Sequence, residues 1–391
     1  MAKLICPKCK KVFDLAAAGG VCPACKRQQP GVYDFANSDE FLRKNVTIVM
    51  EERLKAGLEG LVGGLECVII NTEESTQRPA VEEMLRYTGL NFDAAFQDGD
   101  YTTCVLKTAG SADFLVRSRR MPGNPFGPFN AFPKSRHLPN TRLETFVFEA
   151  KDLEKYFAVQ KSRGIRFLTD DIIRTDEYFF IQTQPSRFTG NSIGFIQWKG
   201  KRGDYAAKGS RGLGWDVKKP AKPHLKNIRH LDHAATRVKA EDRDAAIIEF
   251  LDLTNYHFDF AIYVNVFNSI TNVARLSKQD YAMVFTSGIS PYISDELSGP
   301  TEKFVHNYGQ RVHHLAFHTE NIEATFDALG KDGMNFLITL IGSPDEGLKQ
   351  TFTVASPHTL LVNEYIYRYG DFDGFFTKSN VTALTGATGK Q

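Results

Sequence analysis

No sign of charge dominates this chain of 391 residues: 48 Lys and Arg stand against 46 Asp and Glu, a formal net charge of +2. That balance excludes a global attraction to nucleic acid or to an anionic membrane, though not a local basic patch. Apolar runs of the roughly 20 residues needed to span a bilayer are missing. The first ten residues carry Lys3, Lys8 and Lys10 but no apolar stretch, so they do not read as a secretory signal. These absences give the expectation of a cytoplasmic protein without a membrane partner. Cysteine is scarce as well: there are six, and four of them lie within the first 25 residues, while Cys67 and Cys104 sit in strand-like runs. A disulfide framework would be spread along a small secreted chain, whereas clustered pairs in a reducing compartment point to metal.

What is present begins with those four. Cys6-Pro7-Lys8-Cys9 is followed, after twelve residues, by Cys22-Pro23-Ala24-Cys25. Each C-x-x-C is a tight turn that aims two thiolates the same way, and two such turns supply a closed tetrahedral site suited to Zn(II). About 30 residues cannot bury a core of their own, so a metal must hold them. Residues 1–35 therefore read as a zinc ribbon, with a redox pair or a rubredoxin-like iron centre as alternatives; docking, oligomerisation and partner binding all stay open as its role. Residues 36–60 follow as a linking helix, with Ser38 as its cap and Phe41, Leu42, Val46, Val49, Met50, Leu54 and Leu58 at helical spacing.

From residue 65 one pattern recurs four times: an apolar strand, a helix of 10–15 residues, then two or three strands. The units open at LECVIINT, LETFVFEA, RHLDHAATRV and RVHHLAFHT, and the helices of three of them end in a glycine (Gly89, Gly164, Gly333). The expected fold is α+β: four βαβββ units paired into two open barrels, 61–215 and 228–385. The basic stretch between them, with 216–227 at its centre, reads as a solvated linker and not as a nucleic-acid site, since it has little aromatic interleaving beyond Tyr205 and Trp215.

Period-two alternation then singles out a site. His233 shares a strand face with Ala235, His314 with Val312 and Ala316, and Glu364 with Val362 and Ile366. A buried carboxylate without a partner is expensive, and two inward imidazoles give a reason for it. Two His and one carboxylate on one side of a metal leave several positions open, as in non-haem Fe(II) oxygenases. By the same alternation His313 points to the opposite face, and His318 lies too far along the strand. In the first pair of units Glu66, Glu144 and Gly194 stand near the equivalent positions, with no histidine, so that barrel reads as structural.

These residues carry a resemblance. Leu231-Asp232-His233, the segment FVHNYGQRVHHLAFHT, Gln350-Thr351-Phe352, the strand Val362 to Gly370 and the tail GFFTKSNVTAL resemble motifs of the 4-hydroxyphenylpyruvate dioxygenase family, within the vicinal-oxygen-chelate superfamily. The likeness covers about 228–385 well, and the N-terminal half by pattern only. It implies Fe(II) held by His233, His314 and Glu364, with Gln350 orienting the substrate and Phe375, Phe376 and Asn380 in the closing helix. Arg368 is read as structural, tying the last strand to a neighbouring carboxylate. The family's P-L-N-E segment is replaced by Phe285-Thr286-Ser287-Gly288, which leaves Ser287 to stand in for its asparagine. The implied activity is oxidative decarboxylation and hydroxylation of an aromatic 2-oxo acid with O₂. A ring-cleaving dioxygenase, a metal-assisted isomerase or a non-catalytic sensor docking through the ribbon are the alternatives, and a homo-oligomer stays open.

One expectation is testable at this level. Deleting residues 1–35 should remove zinc and leave the barrel metal in place, as read by elemental analysis; loss of both metals would contradict two independent sites.

Overall fold

The computed structural model describes residues 35–391 and, before them, only the backbone of two short antiparallel strands, Lys3–Ile5 and Val12–Asp14. Cys6, Cys9, Cys22 and Cys25, and with them the expected zinc site, lie outside the described residues. No helix among the described residues is long and apolar enough to cross a membrane.

The four repeated units form two mixed sheets. Strands run in the order Arg211–Gly212, Asn91–Gln97, Tyr101–Lys107, Asp113–Arg119, Val62–Thr72, Arg142–Ala150, Ser192–Trp198, Tyr178–Gln182 and Ile173–Arg174 in the first. In the second the order is His257–Val264, Ser269–Arg275, Ala282–Gly288, Ile228–Arg237, Arg311–Thr319, Val362–Arg368, Leu348–Phe352 and Ile341–Ser343. Apart from the added Arg211–Gly212 edge, the two orders are the same. In each sheet the opening strands of two units pair antiparallel at the centre, and each lies parallel to the last strand of its own unit. The α-helices Glu74–Tyr87, Leu153–Ser162, Arg243–Leu253 and Ile322–Lys331 supply the crossovers such parallel neighbours need.

The second sheet is curled into a half-barrel. The helix Lys378–Ala387 packs against His257–Val264 at one edge and against Leu348–Phe352 and Ile341–Ser343 at the other, so both edges approach one element. On their convex sides the two halves share one apolar core: Phe114 stacks on Phe317, and Phe148 meets Phe250 and Tyr256. The basic stretch read as a solvated linker is mostly exposed, and a few of its residues pin it to the body. Leu225 is buried, and Lys219 Nζ donates to the carbonyls of Thr88 and Leu90 at 2.8 and 2.5 Å.

The linking helix spans Asp39–Lys55, with Ser38 before it making no side-chain cap. It ties the chain's beginning to the second half. Arg53 is 1% exposed, and its Nη1 reaches the carbonyls of Leu251, Thr254 and Tyr256 at 3.1, 2.9 and 3.0 Å. These carbonyls stand at the C-terminal end of the helix Arg243–Leu253 and just beyond, where a cation satisfies orphan acceptors and the helix dipole together. Arg53→Met should therefore cost about 2–4 kcal/mol in chemical denaturation, because buried carbonyls are left without donors. A loss under about 0.5 kcal/mol, typical of a surface change, would contradict the assigned role.

Candidate metal centre

His233 comes from the opening strand Ile228–Arg237, His314 from its antiparallel neighbour Arg311–Thr319, and Glu364 from Val362–Arg368 beyond it. Their ligand atoms all lie within 4.8 Å of one another, and all three residues are buried. Glu364 Oε2 sits 3.2 Å from Nε2 of both His233 and His314, while its Oε1 is buried without a hydrogen-bond partner. An orphaned carboxylate oxygen beside two converging imidazole nitrogens is a donor set in want of a cation. It fits a divalent metal, and this is the one such His/carboxylate cluster among the described residues.

Each imidazole is oriented from behind. His233 Nδ1 lies 2.7 Å from Asp232 Oδ1, and Asp232 is held in turn by a two-pronged bond from Arg368 at 2.6 and 3.0 Å. Arg368 is thus the tie between the last strand and a carboxylate that its sequence context implies. His314 Nδ1 meets His313 Nδ1 at 2.8 Å, and His313 Nε2 meets Gln391 Oε1 at 2.8 Å. One set of tautomers satisfies the whole chain: His314 donates from Nδ1, His313 accepts there and donates from Nε2, and His314 Nε2 is left free for a metal. Burial and its cationic neighbours push His314 well below its ordinary value, which keeps that nitrogen unprotonated. For His233 burial also opposes protonation, but the carboxylates of Glu364 and Asp232 outweigh it and lift the group to about 9. A cation placed between the ligands takes over that charge.

His313 and Asp232 were not expected on this side of the sheet. Alternation fails at both because each is the extra residue of a β-bulge. Between the pairs Leu231↔Phe317 and His233↔Ala316 Asp232 is the added residue, and between Ala235↔His314 and Thr236↔Val312 it is His313. His313 therefore does not turn away from His314; it supports it.

The same register holds in the first half. Cys67↔Val147, Ile69↔Thr145 and Val147↔Gly194 correspond to His233↔Ala316, Ala235↔His314 and Ala316↔Glu364. The equivalents of the ligands are thus Cys67, Thr145 and Gly194. Glu66 and Glu144, expected near them, are the bulge residues one position earlier, matching Asp232 and His313. Glu66 binds Trp198 Nε1 at 2.9 Å as well as Arg202, and Glu144 takes both its bonds from Arg119 at 2.6 Å. A side chain has little room at Gly194: an added Cβ would stand 3.0, 3.1 and 3.2 Å from Val147, Thr145 and Phe180.

A cavity of about 50 Å³ opens beside the ligands in the second half, lined in part by His314, Glu364, Gln350, Phe352, Phe376 and Arg237. Gln350 is fully buried, with neither amide atom hydrogen-bonded. Phe376 lies edge-on to His233 at a ring separation of 5.1 Å, Phe375 at 5.4 Å, and Phe352 is 4.7 Å from His314. One expected contact is displaced, and Phe375 and Phe376, expected in the closing helix, lie just before it, since that helix begins at Lys378. Ser287 does not line the cavity; its hydroxyl donates to the carbonyl of Gly288, and Thr286, one residue earlier, faces the space instead. Asn380 is buried but directs its Nδ2 at the carbonyl of Leu348, 3.5 Å away, as part of the helix–strand contact. Arg237 was missed altogether, although it stands two alternations beyond His233 on the same face.

No protein-family model matches the chain, and no curated protein is similar to it. Solved structures do match in fold. A triple mutant of 4-hydroxymandelate synthase from Streptomyces coelicolor is 17% identical, over 84% of this chain and 98% of that one, with a TM-score of 0.63. A fusion of a xylose isomerase-like TIM barrel with 4-hydroxyphenylpyruvate dioxygenase is 13% identical, over 89% of this chain and 58% of that one, with a TM-score of 0.59. At these identities the likeness is one of fold.

The geometry separates ligands from their supports. His233→Ala, His314→Ala and Glu364→Gln should each abolish stoichiometric binding of a divalent metal in anaerobic titration. Asp232→Asn keeps all three ligands and should weaken binding about 10–100-fold. Binding unchanged in Asp232→Asn, or lost in His313→Ala but not in His314→Ala, would overturn the assignment.

Proposed function

We propose that the chain is a non-haem Fe(II)-dependent dioxygenase that oxidatively decarboxylates an aromatic 2-oxo acid with O₂ and hydroxylates the same molecule. The observation that carries this reading is the buried His233–His314–Glu364 set opening onto a cavity that also holds an unpartnered amide, Gln350. The two likenesses of fold, to a hydroxymandelate synthase and a hydroxyphenylpyruvate dioxygenase fusion, favour the same chemistry. Three protein ligands on one side are suited to iron that must admit both a chelating substrate and O₂.

When bound, Fe(II) supplies the redox chemistry that couples decarboxylation of the keto acid to reduction of O₂ and insertion of oxygen. The protein's residues bind, orient and shield. Asp232 and Arg368 fix the ring of His233, and His313 fixes that of His314, so neither ligand pays rotational entropy when substrate arrives. Gln350 offers one donor and one acceptor to the substrate's polar atoms, a role that explains why it is buried without partners inside the protein. Phe352 and Phe376 make the apolar walls against which an aromatic ring packs, and with Phe375 they keep water from His233 and His314. Asn380 acts only through the closing helix, and Ser287 through the backbone.

Anaerobic Fe(II) loading followed by a panel of aromatic 2-oxo acids tests this. A visible charge-transfer band should appear on chelation, and admission of O₂ should release one CO₂ per O₂ consumed. Gln350→Ala should leave the iron content intact and lower kcat/KM by about 10–100-fold, the weight of one or two lost hydrogen bonds. Oxygen uptake without CO₂, or no band with any 2-oxo acid, would overturn the proposal.

A further inference from the structure

Arg237 is a charge without a partner. It is 5% exposed, no carboxylate among the described residues pairs with it, and its Nη1 is buried with no hydrogen bond. Its guanidinium lies over the ring of Phe304 at 4.5 Å, a contact that covers one face and leaves the planar edge of donors free. Every other fully buried arginine has found acceptors: Arg53 and Arg311 on backbone carbonyls, Arg142 on Asn130 and two carbonyls, Arg243 on Asn272 and Asp39. Burial alone pulls Arg237 down, to about 9, so the group is still a cation at neutral pH. A buried cation without a carboxylate destabilises a fold, and the Phe304 ring compensates for this one only in part.

Its position is specific. The strand Ile228–Arg237 pairs without interruption with Ala282–Gly288, from His233↔Ala282 to Arg237↔Thr286, so His233 and Arg237 face the same side. Four residues of strand separate their Cα atoms by about 13 Å. Arg237 and Thr286 line the same cavity as His314, Gln350 and Glu364, and the hydroxyl of Thr286 is also buried without a partner.

We propose that Arg237 is the anchor for a second acidic group on the substrate, and that the cavity takes an aromatic 2-oxo acid whose far end carries a carboxylate. This rests on the cavity being the substrate site of the proposed oxygenase, and it adds the substrate's charge. The keto-acid end lies toward His233, His314 and Glu364, the ring against Phe352 and Phe376, and the distal carboxylate meets the free edge of the guanidinium in a two-pronged bond with Thr286 beside it. The protein's orphaned donors and the ligand's acceptors then satisfy one another, and a monoacid leaves the guanidinium unpaired in the complex.

Calorimetry on the full chain loaded with Mn(II) under nitrogen tests this without turnover, using phenylpyruvate and 4-carboxyphenylpyruvate as probes. The diacid should bind at least about tenfold tighter, a difference of about 1.4 kcal/mol. Arg237→Met should erase that preference while leaving phenylpyruvate within about twofold, and Arg237→Lys should retain part of it. The metal-loaded Arg237→Met protein should also melt at a higher temperature than the parent, since an uncompensated charge has been removed; a lower melting temperature would assign Arg237 to the fold. Equal affinity of the parent for the two acids overturns the proposal, as does a variant that loses both acids alike, which would place Arg237 on the chelating carboxylate. A diacid preference without CO₂ release on admitting O₂ to the iron form would sink the oxygenase reading alone, and CO₂ release from monoacids without any preference would sink this one alone.

Discussion

The antiparallel pairing of Ile228–Arg237 with Arg311–Thr319 is the constraint on which the rest of the second half depends. It brings together the opening strands of two repeated units, and each of those strands contributes one histidine. Of its three register shifts, the two at Asp232 and His313 swing a supporting residue to the side of the ligand it precedes. A regular ladder would have left both imidazoles without a hydrogen-bonded backing and free to rotate. The same bulges recur in the first half at Glu66 and Glu144, where no histidine follows them. The distortion therefore belongs to the backbone of the fold, and the ligands occupy places it provides.

Comparing the halves shows how the same framework can be filled in two ways. In the first, Cys67, Thr145 and Gly194 take the ligand positions, and the concave face is closed by Ile69, Val147, Ile196 and Tyr205. Burial raises the thiol of Cys67 far above its usual range, as befits a small apolar filler and not a nucleophile. Glu66 with Trp198 stands where Asp232 with Arg368 stands in the second half, so even the supporting pair has a counterpart. In the second half three ionisable groups, an amide and a guanidinium share the concave face with the aromatic rings. Apolar filling stabilises one sheet, and the other keeps the polar cleft that chemistry needs.

Much of this was legible in the sequence, and the exceptions have physical causes. Repetition gave the four units, and alternation put His233, His314 and Glu364 on one face, because all three sit in uninterrupted stretches between bulges. Alternation could not foresee the bulges themselves, so His313 and Asp232 were assigned to the wrong side or passed over. A motif position points to Ser287, but it fixes no register, and one residue reverses the face of a strand, which puts Thr286 in the cavity. The helix Pro300–Tyr308 and the strand Ser269–Arg275 escaped notice, the first being short and the second mixing Ser, Thr and Asn with its apolar residues. Arg237 was detectable by counting two more alternations from His233, but a long cationic side chain is usually read as solvated.

The helix Lys378–Ala387 has a consequence for access. It bridges the two edges of the curled sheet, and its Val381 and Leu384, with Phe376 before it, form part of the lining of the cavity beside the ligands. Under the proposed function a substrate reaches the ligands alongside this strap, so its packing bears on entry. It is held along its length: Thr377 caps its first turn, Ser379 donates to Glu346, Asn380 reaches the carbonyl of Leu348, and Val381, Leu384 and Ala387 are buried. Leu384 and Val381 line the cavity without being ligands, so substitutions there reshape the space a substrate must fill while leaving the donor set untouched.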